Sequence, residues 1–283
     1  MDYSSPHIEK SASELKEAIA QGKVDVPVLP EVAQKVMALA QDPESDAPQL
    51  AAIIQTDPTM GGHVMRIANS AAYTPSSNLV SIQQAIARLG MVEISNIALS
   101  TSINSKMFNA PGYDTHIAMI WKHALATALW SKEVARMMRS NVEAAFLCGL
   151  LHSIGRPVIL QTIADTSGQE TLLSHEALDE LYKLFESAYA KAVANEWGLP
   201  TLVAEAIGFY KHFSDAPSAS ELAATIAFGN QLANLMLYPD TTNKDLILNS
   251  SALALINLYP DEINTLIDKQ PDIKTGMDTL SLP

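Results

Sequence analysis

Seven histidines and one cysteine are the residues of this 283-residue chain most suited to metal binding or nucleophilic catalysis. Cys148 sits in the most apolar segment, Ala144 to Leu151, where burial raises a thiol's pKa, so it is expected to be a small core residue rather than a nucleophile. A single cysteine also excludes a disulfide framework and a cysteine-based zinc site. Gly61-Gly62 stands alone within a helical pattern, so there is no phosphate loop or dinucleotide fingerprint, and no nucleophile-elbow pattern is present. That leaves His123, on the apolar side of a long helical pattern beside Trp121 and Ala124, and His152, which ends the run Cys148-Gly149-Leu150-Leu151. Two imidazoles on adjacent inward-facing helices could ligate a metal, but two ligands are too few for a tight site. The alternative is a pair of buried neutral histidines, each making one or two hydrogen bonds.

The elements that must position them read as helices throughout. Ser11 with Glu14 forms a capping-box pattern and Gly22 a stop. Pro30 is expected in the first turn of a helix with Val32, Val36 and Leu39 on its stripe. Asp46 before Pro48, and Asp57 before Pro58, are cap-and-proline starts; the second leads a stripe of Met60, Val64 and Ile67. Ser81 opens a short helix closed by Gly90, and another is expected from about Val92 to Asn104. Asn109-Ala110-Pro111-Gly112 breaks the chain before a long helix, about Thr115 to Met138. Further helices are expected over 144–151, 174–197, after Pro200, from about Ser220, and near 245–258 and 260–269. The last dozen residues, ending in Pro283, are expected to be loose. No alternating strand pattern or repeat period stands out, so the fold class is all-α.

Charge narrows the function classes. Lys plus Arg total 18 against 31 Asp plus Glu, a net charge of −13, and the basic residues are scattered singly. Such a surface repels phosphate backbones, so nucleic acid is not an expected partner. With 48% apolar and 17% charged residues the chain reads as folded. Leu222 to Tyr238 carries no formal charge, but Thr225, Asn230, Gln231 and Asn234 interrupt it, so a buried helix is expected rather than a membrane span. No signal peptide is expected within Met1 to Lys10, and the expected location is the cytoplasm.

Gly149-Leu150-Leu151-His152-Ser153-Ile154-Gly155 resembles the signature of the HD superfamily of metal-dependent phosphohydrolases, and Trp121-Lys122-His123 resembles its first metal-binding histidine. The N-terminal half is similar to the HDOD domain, the HD-related output domain of bacterial signalling proteins. The matching segments are Val28-Leu29-Pro30, Ile53-Ile54-Gln55-Thr56-Asp57-Pro58, Arg66-Ile67-Ala68-Asn69-Ser70-Ala71-Ala72-Tyr73 and Ile82-Gln83-Gln84-Ala85-Ile86-Ala87-Arg88-Leu89-Gly90. The resemblance spans about Lys23 to Leu237. It implies an N-terminal helical subdomain over 23–110 packed on a degenerate HD-like subdomain over 111–240, with an N-terminal helix (1–22) before them and C-terminal helices and tail (241–283) after.

The departures from the superfamily pattern are specific. His123 and His152 match, but Ser153 replaces the aspartate of the His-Asp pair and cannot supply an anionic bridging oxygen. Aligned from Trp197-Gly198-Leu199-Pro200, Glu186 occupies a histidine position, Tyr210 and Lys211 occupy a His-His pair with His212 one place beyond, and Asn230 replaces the closing aspartate. A lysine cation beside two imidazoles disfavours a divalent metal, so no cofactor and no catalytic or metal residues are expected. Ser153 and Asn230 are expected to hydrogen-bond His123 and His152 in the old cavity. Asp57 and Pro58 are expected to start a helix, Asn69 and Ser70 to cap its end near Tyr73, and Gly90 to close the next. The function implied is a non-enzymatic signalling module acting on a protein partner. The alternatives are a sensor holding a nucleotide or other small ligand through Arg156, Lys211 and His212, against which the net charge works, and a residual phosphohydrolase.

Overall fold

The computed structural model describes residues 6–42, 44–70, 73, 79–103, 107–167 and 172–281. Asn104, Ala71, Ala72 and Pro283, which the expectations above invoke, lie outside them. The described residues form helices and contain no strand.

The N-terminal bundle is built from short helices with readable starts. These are α1 (Pro6–Ala20), α2 (Glu31–Gln41), α3 (Ala47–Gln55), α4 (Pro58–Ala68), α5 (Ile82–Leu89) and α6 (Met91–Ser102). Asp46 accepts from the Gln49 N–H in a capping box, and the Ser81 hydroxyl accepts from the Gln84 N–H. Gly90, at φ +88°, both ends α5 and starts α6, a backbone angle that a side chain would strain. Ser11 is no cap: it lies buried inside α1, which begins five residues earlier at Pro6. Pro30 precedes α2 as its N-cap rather than sitting in the first turn. Helix α1 leaves the bundle it precedes and packs on the second half, where the Tyr189 hydroxyl donates to the Leu15 carbonyl at 3.3 Å.

That second half turns around α7 (Asp114–Met138), followed by α8 (Val142–Leu151), α9 (Gly155–Ser167), α10 (His175–Glu196), α11 (Thr201–Phe209), a 3-10 turn (Tyr210–Asp215) and α12 (Ser220–Leu237). Helices α8 and α12 both lie against α7. Glycine makes this closeness sterically possible. A Cβ on Gly149 of α8 would stand 2.7 Å from the Ala128 Cα, and one on Gly229 of α12 would stand 2.9 Å from the Ser131 N. The uncharged α12 is a buried core helix, with Phe228 fully enclosed. One helical stretch, Val142–Thr166, is long and apolar enough to cross a membrane, but 72% of its most apolar window is buried. The turn at His152 breaks it.

The tail differs from expectation. The segment after α12 is split into α13 (Lys244–Leu248) and α14 (Leu253–Ile256), which ends at Asn257 with φ +49°. After α15 (Pro260–Ile267) the residues expected to be loose form α16 (Gln270–Leu280). Ile273, Met277 and Leu280 recur at helical spacing and are buried, and α16 packs against α7 and α6. Its polar composition concealed a narrow apolar stripe.

Candidate functional site

His123 projects from α7 and His152 from the turn after α8, with ring centroids 5.5 Å apart. His123 Nε2 lies 2.9 Å from Asn234 Oδ1; since an amide oxygen only accepts, that nitrogen carries the proton. His152 Nδ1 lies 2.7 Å from the Gly149 carbonyl, so it donates there and leaves Nε2 as a bare acceptor. That acceptor is buried and has no partner among the described residues. Burial, together with the Arg156 charge, holds the His123 pKa down to about 4 against the smaller opposing pull of Asn234 and Glu186. Burial and then His123 itself hold His152 well below the usual imidazole range. Both rings are neutral at pH 7.

Ser153 and Asn230 are not the hydrogen-bond partners expected for these rings. Ser153 is buried at the turn but engages neither imidazole, and the amide that reaches His123 is Asn234, one turn beyond Asn230. Asn230 and Asn234 are four apart on α12, so one helix face presents both to the cavity. That spacing was the available signal.

Glu186, on α10 and 1% exposed, is the centre of a second cluster. Arg156 Nε donates to it at 2.9 Å and Nη2 at 3.3 Å, the Tyr210 hydroxyl donates at 3.2 Å, and Lys211 Nζ closes an ion pair. Arg156 also lies 5.2 Å over the Tyr182 ring. Burial and the Glu186 charge hold the Tyr210 hydroxyl protonated far above its usual range. Tyr210 meets His152 edge-on at 5.1 Å, joining the two clusters. His212 is exposed on the 3-10 turn and does not line the cavity, contrary to the expectation that it would serve as a ligand contact. The cavity, about 290 Å³, opens between α7, α9, α10 and α12, and its lining includes His123, Arg156, Tyr182 and Lys211.

These residues do not fit the metal centre of the HD superfamily. The one carboxylate of the cluster is taken up by two cations and a hydroxyl, and the proton on His123 Nε2 occupies a ligating nitrogen. Among the described residues no three His, Cys, Asp or Glu are placed to hold a metal ion. Cys148 is buried in α8, and burial pushes its thiol pKa up.

The motif positions of the N-terminal bundle lie elsewhere. Asp57 caps α4, accepting from the Thr59 and Met60 N–H groups at 2.9 and 3.1 Å, with Pro58 in the first turn. Asn69 ends α4, and its Nδ2 donates to the Met65 and Leu79 carbonyls while its Oδ1 accepts from the Leu79 N–H at 2.7 Å. The Ser70 hydroxyl is buried and has no partner among the described residues, so it caps none of them. Tyr73 faces Glu93, which receives Lys132 at 2.7 Å, and lines a second, polar cavity of about 330 Å³ against α7 and α16.

An all-α protein with an HD-type cavity whose metal-ligand set is incomplete among the described residues is thus the class that fold and site define. The model of the HDOD domain matches residues 26–213, and the chain belongs to that family. An uncharacterized protein of Treponema pallidum (strain Nichols) is 22% identical over 233 residues, 79% of this chain and 45% of the relative, so the chain spans about half the length of that curated relative. Among solved structures, an HDOD domain protein of unknown function from Geobacter sulfurreducens shares 19% identity with a TM-score of 0.75, covering 98% of this chain and all of that one. A protein of Marinobacter aquaeolei VT8, provisionally described as a signal transduction protein, shares 19% identity at TM-score 0.72 over all of this chain and 68% of that one. A protein of Shewanella amazonensis SB2B, provisionally described as a metal-dependent phosphohydrolase, shares 20% identity at TM-score 0.72, over 96% of this chain and all of that one. At these identities the likeness concerns the fold.

Proposed function

We propose that this chain is a cytoplasmic regulatory protein that acts by binding a signalling protein, without hydrolytic activity of its own. The observation that carries the reading is the fate of Glu186. In a metal-dependent hydrolase a buried carboxylate beside two histidines would hold a cation or a water. Here Arg156, Lys211 and Tyr210 consume it. What remains is a scaffold of two helical halves in contact through α6 and α8, offering surfaces to a partner. The acidic surface favours proteins over polyanions.

The test has two arms. Purified protein supplied with manganese, iron or nickel should hydrolyse neither phosphodiester nor phosphomonoester panels, and affinity capture from a bacterial lysate should recover one stoichiometric signalling protein. Metal-dependent turnover, or capture of chaperones alone, would overturn the reading.

A further inference from the structure

The walls of the His123–Arg156 cavity are more specific than a collapsed enzyme site requires. The two cations that line it are Arg156 and Lys211, with side chains 28% and 30% exposed, while Glu186, their counter-ion, is buried and lies outside the lining. Two cations on one carboxylate leave that cluster with one positive charge in excess. Asp179 lies at the mouth, half-exposed and 3.7 Å from His175, where water screens it. Tyr182 is 5% exposed and lines the cavity, yet its buried hydroxyl has no hydrogen-bond partner among the described residues. A buried O–H left unsatisfied costs about 1–3 kcal/mol, which an acceptor on a bound molecule would recover. The outer wall is apolar: Met119 and Tyr238, each 42% exposed, stand beside Ile120. Two amides, Asn230 and Asn234, complete the polar side.

From this arrangement we infer that the cavity is a metal-free binding site for a small metabolite with an oxyanion head, carboxylate or phosphomonoester, and a one-ring body. The head meets Arg156, Lys211 and the Tyr182 hydroxyl, and the body lies on Met119, Ile120 and Tyr238. A volume of about 290 Å³ is at the small end of ligand cavities, roughly 300–1,000 Å³, and suits a one-ring ligand. The net charge of −13 does not oppose this, because the sign of the field inside a cleft is set by the charges lining it. The inference goes beyond the partner reading and does not depend on it: it supplies an input where that reading supplies an output.

Calorimetry and thermal denaturation of the full chain test it, with phenyl phosphate and phenylacetate as the two anionic probes and benzyl alcohol as the neutral control. The expected result is saturable one-to-one binding of at least one anion with a raised Tm, and none of benzyl alcohol. Whichever anion binds identifies the head. Lys211→Met should weaken binding at least tenfold and Lys211→Arg should restore it. Tyr182→Phe should weaken binding severalfold without lowering the Tm of the free protein, since the deleted hydroxyl has no partner in the fold. Failure of both anions to saturate, equal binding of benzyl alcohol, or full affinity in Lys211→Met would overturn the inference. None of these outcomes bears on whether a protein partner is captured.

Discussion

The N-terminal bundle and the cavity beneath α7 both hold conspicuous polar residues, but they use them over different chain distances. In the bundle, Asp57 bonds two and three residues ahead, and Ser81 three ahead. Even the Asn69 clamp spans ten residues. In the cavity, Glu186 reaches partners 24 to 30 residues away and His123 one 111 away. Local bonds form as soon as the backbone turns, whereas distant ones exist only when the whole half is assembled. The bundle's polar residues should accordingly act one at a time, and the cavity's as a coupled set.

Substitution of the cavity's central carboxylate should break the most. Glu186→Ala strands two cations and a buried hydroxyl, and should cost about 4 kcal/mol in urea unfolding. A loss below 1 kcal/mol would place the cluster on the same footing as the surface ion pairs.

Acidification attacks the same region through the histidines. The folded His123 pKa, about 4, lies below the ordinary value of 6.5, so the unfolded chain binds the proton first. Its contribution is whole above pH 6.5 and is lost as pH falls from 6.5 toward 4, about 3 kcal/mol in all at 1.36 kcal/mol per unit. His152, shifted the same way, adds to the slope. Unfolding free energies of His123→Gln and the parent protein, compared at pH 7.5 and pH 5, should converge toward the acid end.

The bundle should respond more weakly and without coupling. Asn69→Ala removes three hydrogen bonds and should cost about 2 kcal/mol. Asp57→Ala removes a cap and should cost about 1 kcal/mol. Measured together, these two losses should add, whereas Glu186→Ala combined with Lys211→Met should cost clearly less than the sum of its parts. Additivity in both pairs would erase the distinction between the regions.

The same contrast explains what could be read from the chain. Asp46, Asp57 and Ser81 announce their helices because a cap bond is decided within one turn. The capping pattern at Ser11 misled because α1 starts earlier and Ser11 lies buried within it. Helix α16 was illegible because three apolar residues among polar neighbours matter only once α7 offers them a surface. In the cavity the members were legible as types, since departures from the HD pattern singled out Ser153, Glu186, Lys211 and Asn230. Their pairing was not: nothing in the chain says that Glu186 neutralises Arg156, or that Asn234 rather than Asn230 meets His123.

The two glycine contacts on α7 have a mechanical consequence. With backbone pressed on backbone at Gly149 and Gly229, α8 and α12 have no side-chain cushion to slide on, and neither can roll about α7 without lifting away from it. The trio is a fulcrum. Arg156, Glu186 and Lys211 sit to one side of it, on α9, α10 and the 3-10 turn, joined to one another by ion pairs rather than to the pivot.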